Sequence, residues 1–219
     1  MISPSTVVVL ITGANSGIGY AASKVIASAS AKYHVIMASR SIEKGNAACS
    51  AIQAAGIKGT TSSIQLDVTD ESSIAAAQLE RTFSTNVVGA AVVAEAFTAL
   101  LLKSAEPYLL HISSTLGSLS LSAEFDYGID ARAYRMSKAA LNMLMVRDAQ
   151  TLGKQGVKVF AVCPGLVESN LRGEGAQERS AGGKAGDPEV SGQTILRIME
   201  GGRDADVGKF VNKDGVIAW

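Results

Sequence analysis

The chain opens on a wholly apolar, β-branched run at 7–11, Val-Val-Val-Leu-Ile, which predicts a strand buried on both faces of a parallel sheet. A glycine turn follows, then an alanine- and serine-rich helix over 17–31. Apolar runs at 34–38, 63–66, 108–112 and 157–162 predict further strands. Helices are predicted over 42–55 and over 132–152, the second stopped by Gly153. Asp187-Pro188-Glu189 offers a cap, a proline at the first helical position and an acid, so a helix restarts there and ends at Gly201-Gly202. The stretches 209–211 and 216–218 flank Lys213-Asp214-Gly215 and predict a short closing strand or hairpin. This alternation is that of an α/β, Rossmann-type doubly wound parallel sheet.

One stretch breaks the alternation. Asp70 suits an N-cap for a helix starting at Glu71, and helical character then continues to Lys103 without a strand. A single helix of that extent would run roughly 50 Å, far more than a crossover on a sheet needs. Something is missing near residues 78 and 79.

Composition narrows the classes. With 219 residues, 47% of them hydrophobic, the chain suits one domain over 1–219. Twenty basic and twenty acidic residues cancel, so no net field draws nucleic acid or an anionic membrane. Two cysteines, Cys49 and Cys163, fit a reducing compartment. The first residues lack the marks of a signal peptide. The run 87–102 carries Glu95 and falls short of a bilayer span of about 18 to 20 residues. A soluble cytoplasmic protein is expected, with no metal site. The segment 172–192, rich in Gly, Ser, Ala and charge, is expected to be a mobile loop.

The candidate chemistry begins at Thr12–Gly19, which follows a strand and opens a helix. Gly13 permits a tight turn, Gly17 a close approach of backbone to phosphate, and Gly19 the packing of helix on sheet. Gly13, Asn15, Ser16, Gly17, Ile18 and Gly19 are thus candidate contacts for a dinucleotide diphosphate at a helix N-terminus. Arg40 lies just past the second strand, where it suits the 2′-phosphate of NADP; a solvated loop arginine is the plain alternative. Tyr134 and Lys138 share one helix face, and an ammonium beside a phenol favours the phenolate. Such a pair alone is usually just helix surface. Ser114 sits at a strand's carboxyl end, the edge where open α/β sheets bind ligands, although most serines there are caps.

These residues resemble the short-chain dehydrogenase/reductase superfamily, in its carbonyl-reductase-like branch. The resemblance takes in Thr12–Gly19, Asp67, Asn86 within Ser-Thr-Asn-Val-Val-Gly at 84–89, Ser113-Ser114, Tyr134 to Lys138, and Cys163-Pro-Gly-Leu-Val at 163–167 with Ser169. It implies that Tyr134 donates the proton to a carbonyl oxygen and that Lys138 binds the nicotinamide ribose and lowers the tyrosine pKa. Ser114, rather than Ser113, would orient the substrate oxygen, and Asn86 would hold a water linking Lys138 to solvent. Asp67 and Val68 would meet the adenine, while Pro164, Gly165, Val167 and Ser169 would frame the nicotinamide carboxamide. Cys163, His34 and His111 would be core residues.

The resemblance also implies a departure. The family places a strand ending in Asn-Asn-Ala-Gly between the helix after Asp67 and the helix holding Asn86, and this chain has none. The shortfall is about 30 to 45 residues, of the order of a βαβ unit, and removes a central strand. The implied function is NADP(H)-dependent reduction of a ketone or aldehyde, or oxidation of the alcohol, on a small-molecule substrate; NAD(H) is the lesser choice. The alternative is a truncated, catalytically impaired product that at most binds dinucleotide, as a non-enzymatic or regulatory protein. Substrate identity, reaction direction and oligomeric state stay open.

Overall fold

The computed structural model describes residues 6–66, 76–128 and 131–219. In chain order the elements are β1 (Val7–Thr12), α1 (Gly17–Ala29), β2 (Tyr33–Ser39), α2 (Ile42–Ala54) and β3 (Thr60–Gln65). Then come α3 (Ala76–Phe83), a π-helical turn (Ser84–Val88), α4 (Gly89–Leu101), β4 (Tyr108–Ile112), α5 (Leu119–Glu124) and α6 (Arg132–Thr151). The last are β5 (Lys158–Val162), α7 (Ala176–Arg179), α8 (Glu189–Met199) and β6 (Phe210–Val211). Two compact units result, one of residues up to 67 with 166–200, the other of 68–165 with 201–219.

In the first unit β2 lies between β1 and β3, all parallel, with Val7 opposite Tyr33 and His34 opposite Thr60. Flanked on both sides, β2 buries Tyr33, Val35, Met37 and Ala38 to 2% exposure or less. β1 has β2 as its one ladder partner among the described residues, and Val7 and Val8 stay 38% and 43% exposed. Helix α1 packs on α8 at close range because Gly192 lacks a side chain. A Cβ there would come within 3.0 Å of Val25 Cγ2 and 3.1 Å of the Ala21 carbonyl oxygen. Lys24 and Glu189 add an ion pair across the two helices.

The segment 172–192 carries α7, and Val167 bridges Gly186. The Arg172 guanidinium donates to the carbonyls of Val167 (2.8 Å), Arg179 (2.6 Å) and Glu178 (3.1 Å). One long cation thus satisfies three backbone acceptors that a loop otherwise leaves to water.

In the second unit β5 lies between β4 and β6, again parallel. Its core joins Met145 of α6 to Val157, Val159, Ala161 and Cys163, and to Phe210 and Ile217. Trp219 stacks on Phe210 at 5.8 Å between ring centroids. Two hydrogen bonds tie the same end of the chain to α5: Ser118 Oγ donates to the Ala218 carbonyl (2.8 Å) and the Ser120 N–H to that of Trp219 (2.6 Å). The predicted hairpin exists as β6 and an antiparallel bridge from Val211 to Val216.

The stretch that broke the alternation is helical from 76 to 101, about 39 Å at 1.5 Å per residue, with no strand within it. The predicted cap at Asp70 lies outside the described residues. The apolar run 87–102 is short for a span, but the helix Arg81–Leu101 is 21 residues with a mean hydropathy of 1.5, enough to cross a membrane by length and composition. Among the described residues the strands form two three-stranded parallel sheets, and the fold is Rossmann-like, with no strand described between β3 and β4.

Candidate active site

In the first unit the turn after β1 is built by backbone freedom. Gly13 and Gly17 hold φ of 64° and 53°, the left-handed region that side chains disfavour. A Cβ on Gly19 would lie 2.6 Å from the Gly13 carbonyl oxygen, so only glycine lets helix α1 start this close to the turn. The Ala14 N–H donates to the Ala38 carbonyl (3.1 Å), and Ser39 Oγ donates to Asn15 Oδ1 (3.1 Å), pinning the turn to the end of β2. Ser16 precedes α1 without a side-chain cap bond, and the first turn holds no acid. Its N–H groups and positive dipole end are therefore suited to an anion. Ile18 enters that first turn.

Ser169 lies against this helix end, its Cβ 3.2 Å from where a Cβ of Gly17 would sit. A cavity of about 270 Å³ opens there, lined among others by Gly17, Tyr20, Lys24, Ser169, Asn170 and Asp187. Val167 is buried just before it. Arg40 is exposed directly after β2, its carbonyl accepting from Gln65 Nε2 (3.2 Å). Asp67 and Val68 lie outside the described residues.

In the second unit the carboxyl ends of β4 and β5 meet the start of α6. Ser114 Oγ accepts from the Leu116 N–H (3.2 Å), so it caps the turn 115–117 as strand-end serines commonly do, with its own proton left to donate. Ser113 is 1% exposed and donates to Asn142 Oδ1 (2.5 Å), which removes it from any substrate's reach. Lys138 Nζ donates to the Ile112 carbonyl (2.7 Å) and lies 5.5 Å from the Tyr134 ring centroid. Burial pushes the Lys138 ammonium down to about 8, a nearby Cys163 opposing weakly. Asn86 sits on the π-helical turn and its Nδ2 donates to Ser137 Oγ (2.9 Å), which in turn donates to the Tyr134 carbonyl (2.8 Å). A π-turn widens the helix where a side chain must be re-aimed. Pro164 and Gly165 follow β5, Gly165 at φ 83°.

Ser137, Asn142 and Gly117 escaped the sequence reading. Tyr134, Lys138 and Asn142 recur every four residues along α6, a polar stripe that marks one helix face and was legible in principle. Asn142 Nδ2 also donates to the Gly117 carbonyl (3.3 Å), tying the turn after Ser114 to α6. Gly117 permits that approach: its Cβ would stand 2.6 Å from the Lys138 carbonyl carbon. Gly117→Ala is expected to lower stability by about 1–3 kcal/mol through this backbone clash, measured by urea unfolding. His111 is core, as expected, its Nε2 2.8 Å from Asp148 Oδ2. His34 is instead half-buried on the sheet face, its ring nitrogens meeting Thr60 Oγ1 (2.7 Å) and Ser62 Oγ (3.0 Å). Cys163 is buried in the core, and Cys49 is buried with its thiol toward Met37 Sδ.

Comparison with known proteins places this geometry. The short chain dehydrogenase family matches residues 7–78 and, as a second piece, 72–180. A short-chain dehydrogenase/reductase of Talaromyces stipitatus, tropE, is 31% identical over 95% of this chain and 96% of its own length. ATR10 of Stachybotrys chlorohalonatus, also a short-chain dehydrogenase/reductase, is 29% identical over 95% and 89%. An NADPH-bound carbonyl reductase from chicken fatty liver shares the fold with a TM-score of 0.79 at 24% identity, over 98% of this chain and 99% of that one. A Brucella melitensis 3-oxoacyl-[acyl-carrier protein] reductase with bound NAD does so at 0.77 and 19%, over 96% and 91%. The chain belongs to the short-chain dehydrogenase/reductase superfamily of oxidoreductases, whose members bind a nicotinamide dinucleotide.

The break between the two matched pieces falls where the strand was missed. The alignment with tropE is 261 positions long, yet 95% of 219 residues supplies about 208, so about fifty positions have no residue of this chain opposite them. The glycine turn, the uncapped start of α1 and the cavity beside Ser169 fit a diphosphate and its neighbouring groups.

Proposed function

We propose that this chain reduces a ketone or aldehyde at the expense of NADPH, with Tyr134 as the general acid. The observation that carries the reading is the group around Lys138: a buried ammonium, held by the Ile112 carbonyl, 5.5 Å from the Tyr134 ring, at the carboxyl ends of β4 and β5. The dinucleotide, when bound, supplies the hydride. Ser114, whose oxygen accepts from the Leu116 N–H, donates a hydrogen bond from its hydroxyl to the substrate oxygen and keeps its proton. Tyr134 gives its proton to that oxygen as it becomes an alcohol, and the Lys138 charge eases the loss. Asn86, bonded to Ser137, keeps the face of α6 that carries both residues in register. Gly13, Asn15, Ser16, Gly17, Ile18 and Gly19 seat the diphosphate, with Asp67 and Val68 at the adenine. Pro164, Gly165, Val167 and Ser169 frame the nicotinamide.

Purified chain mixed with NADPH and a panel of carbonyl compounds is expected to consume the cofactor, followed by its absorbance. Failure of a folded sample to bind NADPH in a fluorescence titration would sink the reading. Arg40 carries the choice of NADP over NAD: exposed beside the diphosphate turn, it answers a 2′-phosphate. Arg40→Asp is expected to weaken NADPH binding by about 10- to 100-fold, the loss of a charge-assisted contact, with NADH affected far less.

A second reading rests on the missing strand and the fifty unmatched positions. In it the chain binds dinucleotide without turnover. Saturable NADPH binding with no carbonyl consumption across the panel decides for it.

A further inference from the structure

Asn142 is buried on the face of α6 that carries Tyr134 and Lys138 at four-residue intervals. Its amide bonds on either side of Ser114: Nδ2 donates to the Gly117 carbonyl (3.3 Å), and Oδ1 accepts from Ser113 Oγ (2.5 Å). The partners fix which way the amide points. A carbonyl can only accept, so the nitrogen must face Gly117, and the oxygen is left for a hydroxyl able to donate. Ser113 Oγ also lies 3.4 Å from the Lys138 carbonyl, but its single hydrogen serves the shorter contact. Ser114 sits between these two anchors. The Gly117 N–H donates to the Ser114 carbonyl (2.8 Å) and the Leu116 N–H to Ser114 Oγ (3.2 Å), so residues 114–117 move as one turn. At the strand side, the Ser113 N–H donates to the Val162 carbonyl of β5 (2.8 Å). Apolar packing alone would press this turn against α6 without fixing its register, because such contacts have no direction.

We propose that Asn142 is a positioning residue: it clamps both ends of the turn bearing Ser114 to α6 and so sets the place of the Ser114 hydroxyl relative to Tyr134. This role rests on Ser114 holding the substrate oxygen, as in the function proposed above. One helix then carries the acid, its lysine and the grip on the serine, and the three stay in a common frame. Ser113 and Asn142 are both buried, so they act through Ser114 and not on the substrate. A hydrogen bond to a reacting oxygen helps only within a narrow range of distance and angle, and a shift of about 1 Å in the donor can lower a rate by about 100-fold.

Two measurements on the full chain test this. The first, amide hydrogen exchange, needs no activity. Asn142→Leu keeps the bulk of the side chain and drops both bonds; it is expected to speed exchange at the Leu116 and Gly117 amides by about 5- to 30-fold, with β5 changed by less than about threefold. The second is a double-substitution cycle read by carbonyl reduction. Asn142→Leu alone is expected to lower kcat by about 10- to 100-fold, with KM and NADPH binding changed by less than about threefold. In a Ser114→Ala chain the same substitution is expected to lower kcat by less than about threefold further, because the group it positions is already gone. Ser113→Ala removes the donor to Asn142 Oδ1, is expected to follow the same pattern, and serves where Asn142→Leu does not fold. Unchanged exchange at Leu116 and Gly117, or an equal loss of kcat with and without the Ser114 hydroxyl, overturns the proposal. A folded parent chain that reduces no carbonyl overturns the proposed function and the catalytic role of Asn142 with it, and the exchange rates then decide the clamp by themselves.

Discussion

Tyr134→Phe is expected to cut carbonyl reduction by about 100- to 10,000-fold, the usual contribution of a positioned general acid, while NADPH binding changes by less than about threefold. The split follows from what the substitution removes. The phenyl ring keeps the shape that lies 5.5 Å from Lys138 Nζ, and the hydroxyl, with its exchangeable proton, is lost. Single-turnover reduction with pre-bound NADPH separates the two quantities. The pH profile adds a second constraint. Because burial holds the Lys138 ammonium near 8, its charge is present below that pH and fades above it. The rate of reduction is therefore expected to fall as pH rises through about 8, when Lys138 loses the charge that eases proton loss from the tyrosine. A rate unchanged between pH 7 and about 9.5 would contradict the role given to Lys138.

Lys138→Met has the second large effect, and it runs in opposite directions on stability and on activity. In the unfolded chain the ammonium titrates at its ordinary 10.5, and in the folded one at about 8. Between these values the unfolded state holds a proton that the folded state lacks, so stability rises with pH across that window; below about 8 the whole penalty of burying the charge is present. That penalty is about 3 kcal/mol at neutral pH. Methionine removes it but leaves the Ile112 carbonyl without the donor at 2.7 Å, which costs about 1–3 kcal/mol. The net expectation at pH 7 is a variant no less stable than the parent, by up to about 2 kcal/mol, with reduction lost. Thermal melts at pH 7 and pH 10 should show its advantage shrinking, since the parent sheds the penalty as it deprotonates. A variant strongly destabilised at pH 7 would mean that the lysine is held for its packing.

Much of this is legible in the amino-acid sequence. The run at 7–11 and the glycines after it define a strand, a turn and a helix start by steric rules alone, and four-residue spacing puts Tyr134 and Lys138 on one face. The missing strand was legible as well, since helical pattern without a strand from 71 to 103 contradicts βα alternation, and the two-piece family match breaks at 72–78. Other features had no local signal. β3 begins at Thr60, earlier than the apolar pattern starts, because Thr60 and Ser62 are paired with His34 on a polar sheet face that resembles a loop in sequence. α5 is six residues long and reads as alternating Leu and Ser, yet Ser118 caps it and the backbone near Trp219 braces it. The π-helical turn at Asn86 has no compositional mark. Arg172 reaches three carbonyls near α7, a set of contacts that no window of local propensity registers.

The stack of Trp219 on Phe210 has an optical consequence. The chain has one tryptophan, so emission excited selectively at the indole, beyond the absorption of the five tyrosines, arises from one place, where a core ring lies beneath the indole and the adjoining backbone clasps α5. Unfolding of the second unit exposes that indole to water and shifts its emission to the red, and any rearrangement of the segment after Ser114 tugs at the same clasp. The molecule therefore reports on the integrity of that unit in its own light, with no dye attached.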